Sequence, residues 1–129
     1  MNQTNYAPGS LRHLTNEELL DLCAAQDAAR IAASNNQLKL DYAALQDVLD
    51  RAWQQAASGK GAERHGQALP FTEQPMQTIS DLLNTQNGML YQAMKKIQES
   101  TRMDRDAAVR ELLGAICYTA GAVIWLEKQ

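Results

Sequence analysis

A chain of 129 residues has room for one domain with a modest core, or for a helical arm joined to a small domain, and for no third unit. Apolar residues make up 45% of it but aromatics only 5%, with Ala, Leu and Gln frequent, which favours helix over strand and predicts an all-α fold. A net charge of −3 argues against general nucleic-acid binding, since that usually needs a strongly basic face.

Residues 1–14 mix Asn, Gln, Pro8 and Gly9 with little apolar periodicity and are expected to form a flexible lead-in. Thr15 followed three residues on by Glu18 is a capping-box spacing, so helix is predicted to begin there and to run as a coiled-coil-like segment over 15–57. Within it Ala24, Ala28, Ile31, Asn35, Leu38, Tyr42, Leu45, Leu49, Ala52 and Ala56 alternate spacings of four and three, the mark of a heptad seam. Asn35 falls at an a position, where such a residue fixes register in a parallel dimer. The alternative is that Ser34-Asn35-Asn36 connects two antiparallel helices, since Ser and Asn favour turns and caps. Val48 and Trp53 widen the apolar stripe, so a bundle competes with a two-stranded coil. The seam is expected to make the protein at least a dimer, a homo-oligomer covering Ile31, Leu38, Tyr42, Leu45, Leu49 and Trp53, whereas the two-helix alternative would pack the seam inside one chain.

Residues 58–75, SGKGAERHGQALPFTEQP, lack periodicity and carry Gly59, Gly61, Gly66, Pro70 and Pro75. They read as an ordered strap that Leu69 and Phe71 tack onto a helical core. A C-terminal three-helix bundle is predicted over 76–129. Its first helix carries Met76, Ile79, Leu82 and Leu83, with Pro75 near its first turn and Asn87-Gly88 closing or bending it. The second presents Leu90, Met94 and Ile97 on one face with Lys95 and Lys96 outward. The third, from about 107 to 126 and capped by Asp104 or Asp106, is expected to bury Val109, Leu112, Leu113, Ile116, Cys117, Ala120, Val123 and Ile124. Ala107, Gly114 and Gly121 recur every seven residues and would let a neighbouring helix approach closely.

Cys23 and Cys117 lie in apolar helical contexts without CxxC spacing and are expected to be buried, unpaired thiols in a reducing compartment. No signal-peptide pattern and no run of 18 uncharged apolar residues stands out, Leu112 to Leu126 coming nearest, so a cytoplasmic protein with no membrane partner is expected. His65 is the one candidate general base in an irregular segment, but no nucleophile or second ligand stands at a recognisable spacing from it. The best binding candidates are Arg64 and His65, which could contact an anion, and the charged set Lys95, Lys96, Glu99, Arg102, Arg105, Arg110 and Glu111. Charge sets of this kind are more often solvated faces than sites. Trp53, Trp125, Tyr91 and Tyr118 continue helical apolar patterns and read as core or oligomer anchors.

Two resemblances bear on function. Glu99 followed by Arg102, and Glu111 followed by Gly114 and Tyr118, resemble the paired helices of MazG-type all-α nucleotide pyrophosphatases, in which ExxE and ExxD pairs hold Mg²⁺ against a triphosphate. That resemblance implies a nucleotide ligand, yet Arg102 and Gly114 stand where the second acid of each pair would fall, and Mg²⁺ prefers several hard oxygen ligands. The stretches PFTEQPMQTI, YQAMKKIQE and RELLGAICYTAGAVIWLE resemble the C-terminal halves of small helical proteins carried by phages and prophages. This second resemblance implies a protein that acts by binding and blocking, including against host defence systems. The expectation is therefore a non-catalytic binding protein without cofactor or metal, whose partner is a host protein with an acidic surface.

Overall fold

A computed structural model describes residues 13–58 and 69–129. Among these the chain forms five α-helices, one 3₁₀ turn and no strand, so the all-α expectation holds. The chain divides into two compact units between Tyr42 and Ala43.

The first unit contains α1 (Asn16–Asp41). The capping box predicted at its start is present: the Glu18 backbone N–H donates to the Thr15 hydroxyl at 3.1 Å, and the Thr15 backbone N–H donates to the Glu18 carboxylate at 2.8 Å. Two orphan donors of the first turn are thereby satisfied. Asp27 and Arg30, three residues apart, pair at 2.9 Å on the exposed surface, an interaction typically worth well under about 1 kcal/mol. Ser34, Asn35 and Asn36 lie inside α1 and form no connection, so the hairpin alternative does not hold at that point. The helix ends instead at Tyr42, with φ −107° and ψ 10°, although its N–H still donates to the Leu38 carbonyl at 3.1 Å. No Gly or Pro stands there, and the residue types give no reason for the break. No residue of α1 is buried, and Cys23, expected inside, is exposed.

The second unit holds α2 (Ala43–Ser58), α3 (Pro75–Leu83), α4 (Asn87–Ser100) and α5 (Arg105–Glu127). Pro75 opens α3, where its missing N–H is no loss. Asn84 closes α3 with φ 51°, a left-handed conformation that Asn tolerates, while the Thr85 N–H reaches back to the Ser80 carbonyl at 3.1 Å. Asn87-Gly88, expected to end this helix, are the first residues of α4. Asp104 caps α5, accepting from the Ala107 N–H at 3.0 Å. Phe71–Glu73 form the 3₁₀ turn, with Phe71 half-buried and Leu69 exposed. Lys128 donates to the Thr72 carbonyl at 3.2 Å, which ties this end of the expected strap to the end of α5. Residues 59–68 lie outside the described residues.

α5 is the element on which the others pack: α4 runs beside it, α2 covers another side, and α3 lies across its C-terminal half. The core is Met89, Ala122 and Trp125, against which Met76, Leu90 and Tyr118 pack. Trp125 is 4% exposed, and its indole N–H donates to the Asp81 carboxylate at 2.9 Å, so the buried ring keeps a partner for its one polar atom. Gln77, at 2% exposure, donates to the Gly121 carbonyl at 2.9 Å, while its side-chain oxygen has no partner among the described residues. The two glycines on α5 make room for side chains rather than for backbone. A Cβ at Gly121 would stand 2.9 Å from Met89 Sδ and 3.3 Å from Met76, and one at Gly114 would stand 3.1 Å from Lys96 Cδ.

Several helix faces differ from those expected. On α5 the buried residues are Leu113, Gly114, Ala115, Gly121, Ala122 and Trp125. Ile116, Cys117 and Ile124 are half-buried, but Val109, Leu112, Ala120 and Val123 are exposed. The cause is that α5 is apolar around nearly its whole circumference, so periodicity could not choose a face. On α4 the face turned inward is Met89, Ala93 and Ser100, leaving Met94 and Ile97 exposed. α2, read as the second half of a coil, packs on α5: Ala52 is buried, and its carbonyl accepts from the Cys117 thiol at 3.3 Å. The Gln55 amide nearby donates to the Arg110 carbonyl at 3.0 Å. Trp53, read as a core or oligomer anchor, is 66% exposed and so is no part of this unit's core. By length and composition α5 is also apolar enough to cross a membrane, although α2, α3 and α4 all pack against it.

Candidate functional site

The charged set divides into pairs once it is placed on the hairpin of α4 and α5. Lys96, predicted to point outward, turns toward α5, where its ammonium donates to Glu111 at 3.1 Å and both side chains are about a quarter exposed. Its aliphatic stem crosses Gly114, the one residue type that leaves it room. Lys95 lies 3.8 Å from Glu99 one turn along α4, a loose and solvated pair. Arg102, beyond the end of α4, donates to the Gln98 side-chain oxygen at 2.9 Å. Arg105 opens α5, and Arg110 is exposed on it, with only its backbone carbonyl engaged by Gln55. Asp104 and Asp106 are interspersed, so residues 95–111 carry five cations against four acids. The result is a mixed surface with little net charge, which steers an acidic partner weakly compared with a true basic patch. Arg64 and His65 lie outside the described residues.

Glu99 and Glu111 each belong to a lysine, and no three His, Cys, Asp or Glu side chains among the described residues come together as metal ligands. Gly114, at the place where a pyrophosphatase would carry an acid, is filled by the Lys96 stem.

The seam positions are more informative. Ile31 and Leu38 on α1, Tyr42 at its end, and Leu45, Leu49 and Trp53 on α2 are all exposed, as is Asn35. Ala52, in the same seam, is consumed by packing on Cys117. A second apolar surface was missed by the sequence reading because its residues were assigned to the core. Leu112, Ile116, Thr119, Ala120 and Val123 of α5, with Ile97 of α4, line an open groove of about 450 Å³. Thr119 adds no polarity, since its hydroxyl donates to the Ala115 carbonyl one turn back at 2.9 Å.

The two cysteines differ in environment. Burial pushes the Cys117 thiol above its ordinary value, against smaller opposing effects of its hydrogen bond and of the Lys96 charge. Cys23 lies on the exposed surface of α1. At pH 7.5 to 8.5 iodoacetamide is therefore expected to label Cys23 within minutes and Cys117 only slowly. Because burial raises its pKa, labelling of Cys117 should keep accelerating as pH rises past the ordinary thiol range. Peptide mapping by mass spectrometry reads both sites, and equal rates would refute the packing of α2 on α5.

Compared with known proteins, the chain matches no family model, no curated protein and no solved structure.

Proposed function

We propose that this chain is a non-catalytic, self-associating binding protein of the kind phages carry, acting by occupying a host protein. The observation that carries the reading is the amount of large apolar side chain left in solvent. Leu82 is 81% exposed and Leu20 71%, and every one of the five helices contributes exposed Leu, Ile, Val, Met or Trp residues. Large apolar side chains left in solvent in such number favour an interaction role. α1 buries no residue of its own, so its exposed Leu and Ile side chains are available to a partner. The phage setting and the blocking role rest on the resemblance of the C-terminal half. Arg102, Arg105 and Arg110, which form no ion pair among the described residues, are the side chains available to acidic groups of the partner.

Leu45→Asp tests the seam. Leu45 is 53% exposed, so the charge should leave the circular dichroism spectrum within a few percent of the parent and lower the mass seen in sedimentation equilibrium. A parent chain that is monomeric at micromolar concentration would remove the seam from the reading. Arg102→Glu should likewise leave the fold intact and weaken capture of a host protein from bacterial lysate. Calorimetric titration with nucleoside triphosphates and Mg²⁺ should give no heat, and a micromolar nucleotide affinity would replace the proposal with a nucleotide-binding one.

A further inference from the structure

α5 is apolar on the face it buries and on the face opposite. At 100° per residue, Gly114, Tyr118, Gly121 and Trp125 mark the packed side, while Val109, Leu112, Ile116, Ala120 and Val123 run along the other. A helix apolar all round belongs in an interior, yet here one long face is open. No charged residue stands between Glu111 and Glu127, and the ends of the open face carry opposite charges, Arg105 at the start and Glu127 at the finish. Both are exposed, and neither forms an ion pair among the described residues.

We infer that this face is covered by the same face of a second copy, with the two α5 helices antiparallel and the two-fold axis at Ile116. In that register Leu112 meets Ala120 of the other copy, Val109 meets Val123, and the two Ile116 side chains meet each other. Leu112 thus opposes the small Ala120 on either side of the axis, which lets the two helices approach there. Arg105 and Glu127 are 22 positions apart, about 33 Å along the axis, and the same register sets each against its opposite in the partner, twice over. A parallel arrangement would instead place Arg105 beside Arg105 and Glu127 beside Glu127. Charge complementarity therefore selects a second copy over an unrelated apolar partner, and antiparallel over parallel. A stable dimer takes about 800 Å² from each partner, more than one helix face supplies, so the adjoining exposed side chains Met94 and Ile97 of α4 belong to the covered surface. The product is a four-helix arrangement of two hairpins, a packing that αα-hairpins commonly adopt. This interface is distinct from the heptad seam and stands whether or not the seam associates.

The test is sedimentation equilibrium of the full chain at 1 to 100 µM, with circular dichroism to confirm the fold of each variant. With Leu45→Asp disabling the seam, the chain should still be a dimer, and adding Ala120→Arg should make it a monomer. Arg105→Glu and Glu127→Arg, both at exposed positions, should each weaken the dimer about tenfold, and the double exchange should restore it. In a Cys23→Ser, Cys117→Ser background, Ile116→Cys should close a disulfide between copies on mild oxidation by diamide. A Leu45→Asp monomer would overturn this interface while leaving the seam in place. A dimer indifferent to Ala120→Arg would overturn it too, as would single charge reversals that the double exchange does not rescue. Binding of the chain to phosphatidylcholine–phosphatidylglycerol vesicles, abolished by Ala120→Arg and with no dimer in solution, would assign the face to a lipid surface instead.

Discussion

Trp125→Ala is expected to cost the α2–α5 unit about 3–5 kcal/mol, the usual range for removing a fully buried large aromatic. The ring is 4% exposed and sits in the core with Met89 and Ala122, so its loss opens a cavity that α3 cannot close. Its indole also holds Asp81 at 2.9 Å, and that link between α3 and α5 goes with it. Domains of this size are stable by roughly 5–15 kcal/mol, so a loss of this order should lower the urea midpoint by at least about a fifth and, at the lower end of that range, leave the unit unfolded. Trp53→Ala, at a position 66% exposed, should shift the midpoint by no more than about 0.5 kcal/mol in the unassembled chain. Far-ultraviolet circular dichroism in urea measures both. Equal effects would mean that the tryptophans had been assigned to the wrong sides of the fold.

That contrast also shows where the sequence was legible. Local signals with their own stereochemistry were read correctly: the Thr15–Glu18 capping box and Pro75 at the first turn of α3 stand as expected, and of the two aspartates offered as the cap of α5 it is Asp104. Each depends on a side chain and a backbone group a few residues apart, so tertiary context cannot displace it. The choice of helix face is a different kind of question. On α4 the apolar row Leu90, Met94 and Ile97 was the natural choice, yet only Leu90 of it packs against the core, and the face turned inward is the mixed row Met89, Ala93, Lys96 and Ser100. Lys96 could be enclosed only because Gly114 leaves room for its stem and Glu111 meets its charge, a three-residue arrangement spread over two helices. The same limit hid the open face of α5, since a helix that is apolar all round gives the eye no face to prefer. Ala52 was placed in a seam from its spacing and is held by Cys117, sixty-five residues further on.

Gly121→Leu is expected to destabilise the same unit by about 3 kcal/mol, at the upper end of the usual penalty for overfilling a packed interior. Two effects oppose each other at this position. Replacing Gly inside a helix gains about 1 kcal/mol of propensity. Against it, even a Cβ would stand 2.9 Å from Met89 Sδ, and Met89 is 2% exposed with no free volume into which to retreat. Met76 closes the remaining side at 3.3 Å, and Gln77 must stay near enough to donate to the Gly121 carbonyl at 2.9 Å. A leucine side chain therefore pushes α3 off α5, and steric cost wins. Gly121→Ala should show the same sign at about 1 kcal/mol. At Gly114 the balance falls the other way. The nearest atoms, 3.1–3.3 Å from the added Cβ, are the far end of Lys96, a flexible side chain about a quarter exposed that can swing into solvent. Gly114→Ala should then change stability by no more than about 0.5 kcal/mol, its helix gain offset by a loosened Lys96–Glu111 pair of comparable worth. Urea denaturation of the two alanine variants decides the matter: a loss at Gly114 equal to that at Gly121 would show that the Lys96 stem is fixed where it lies.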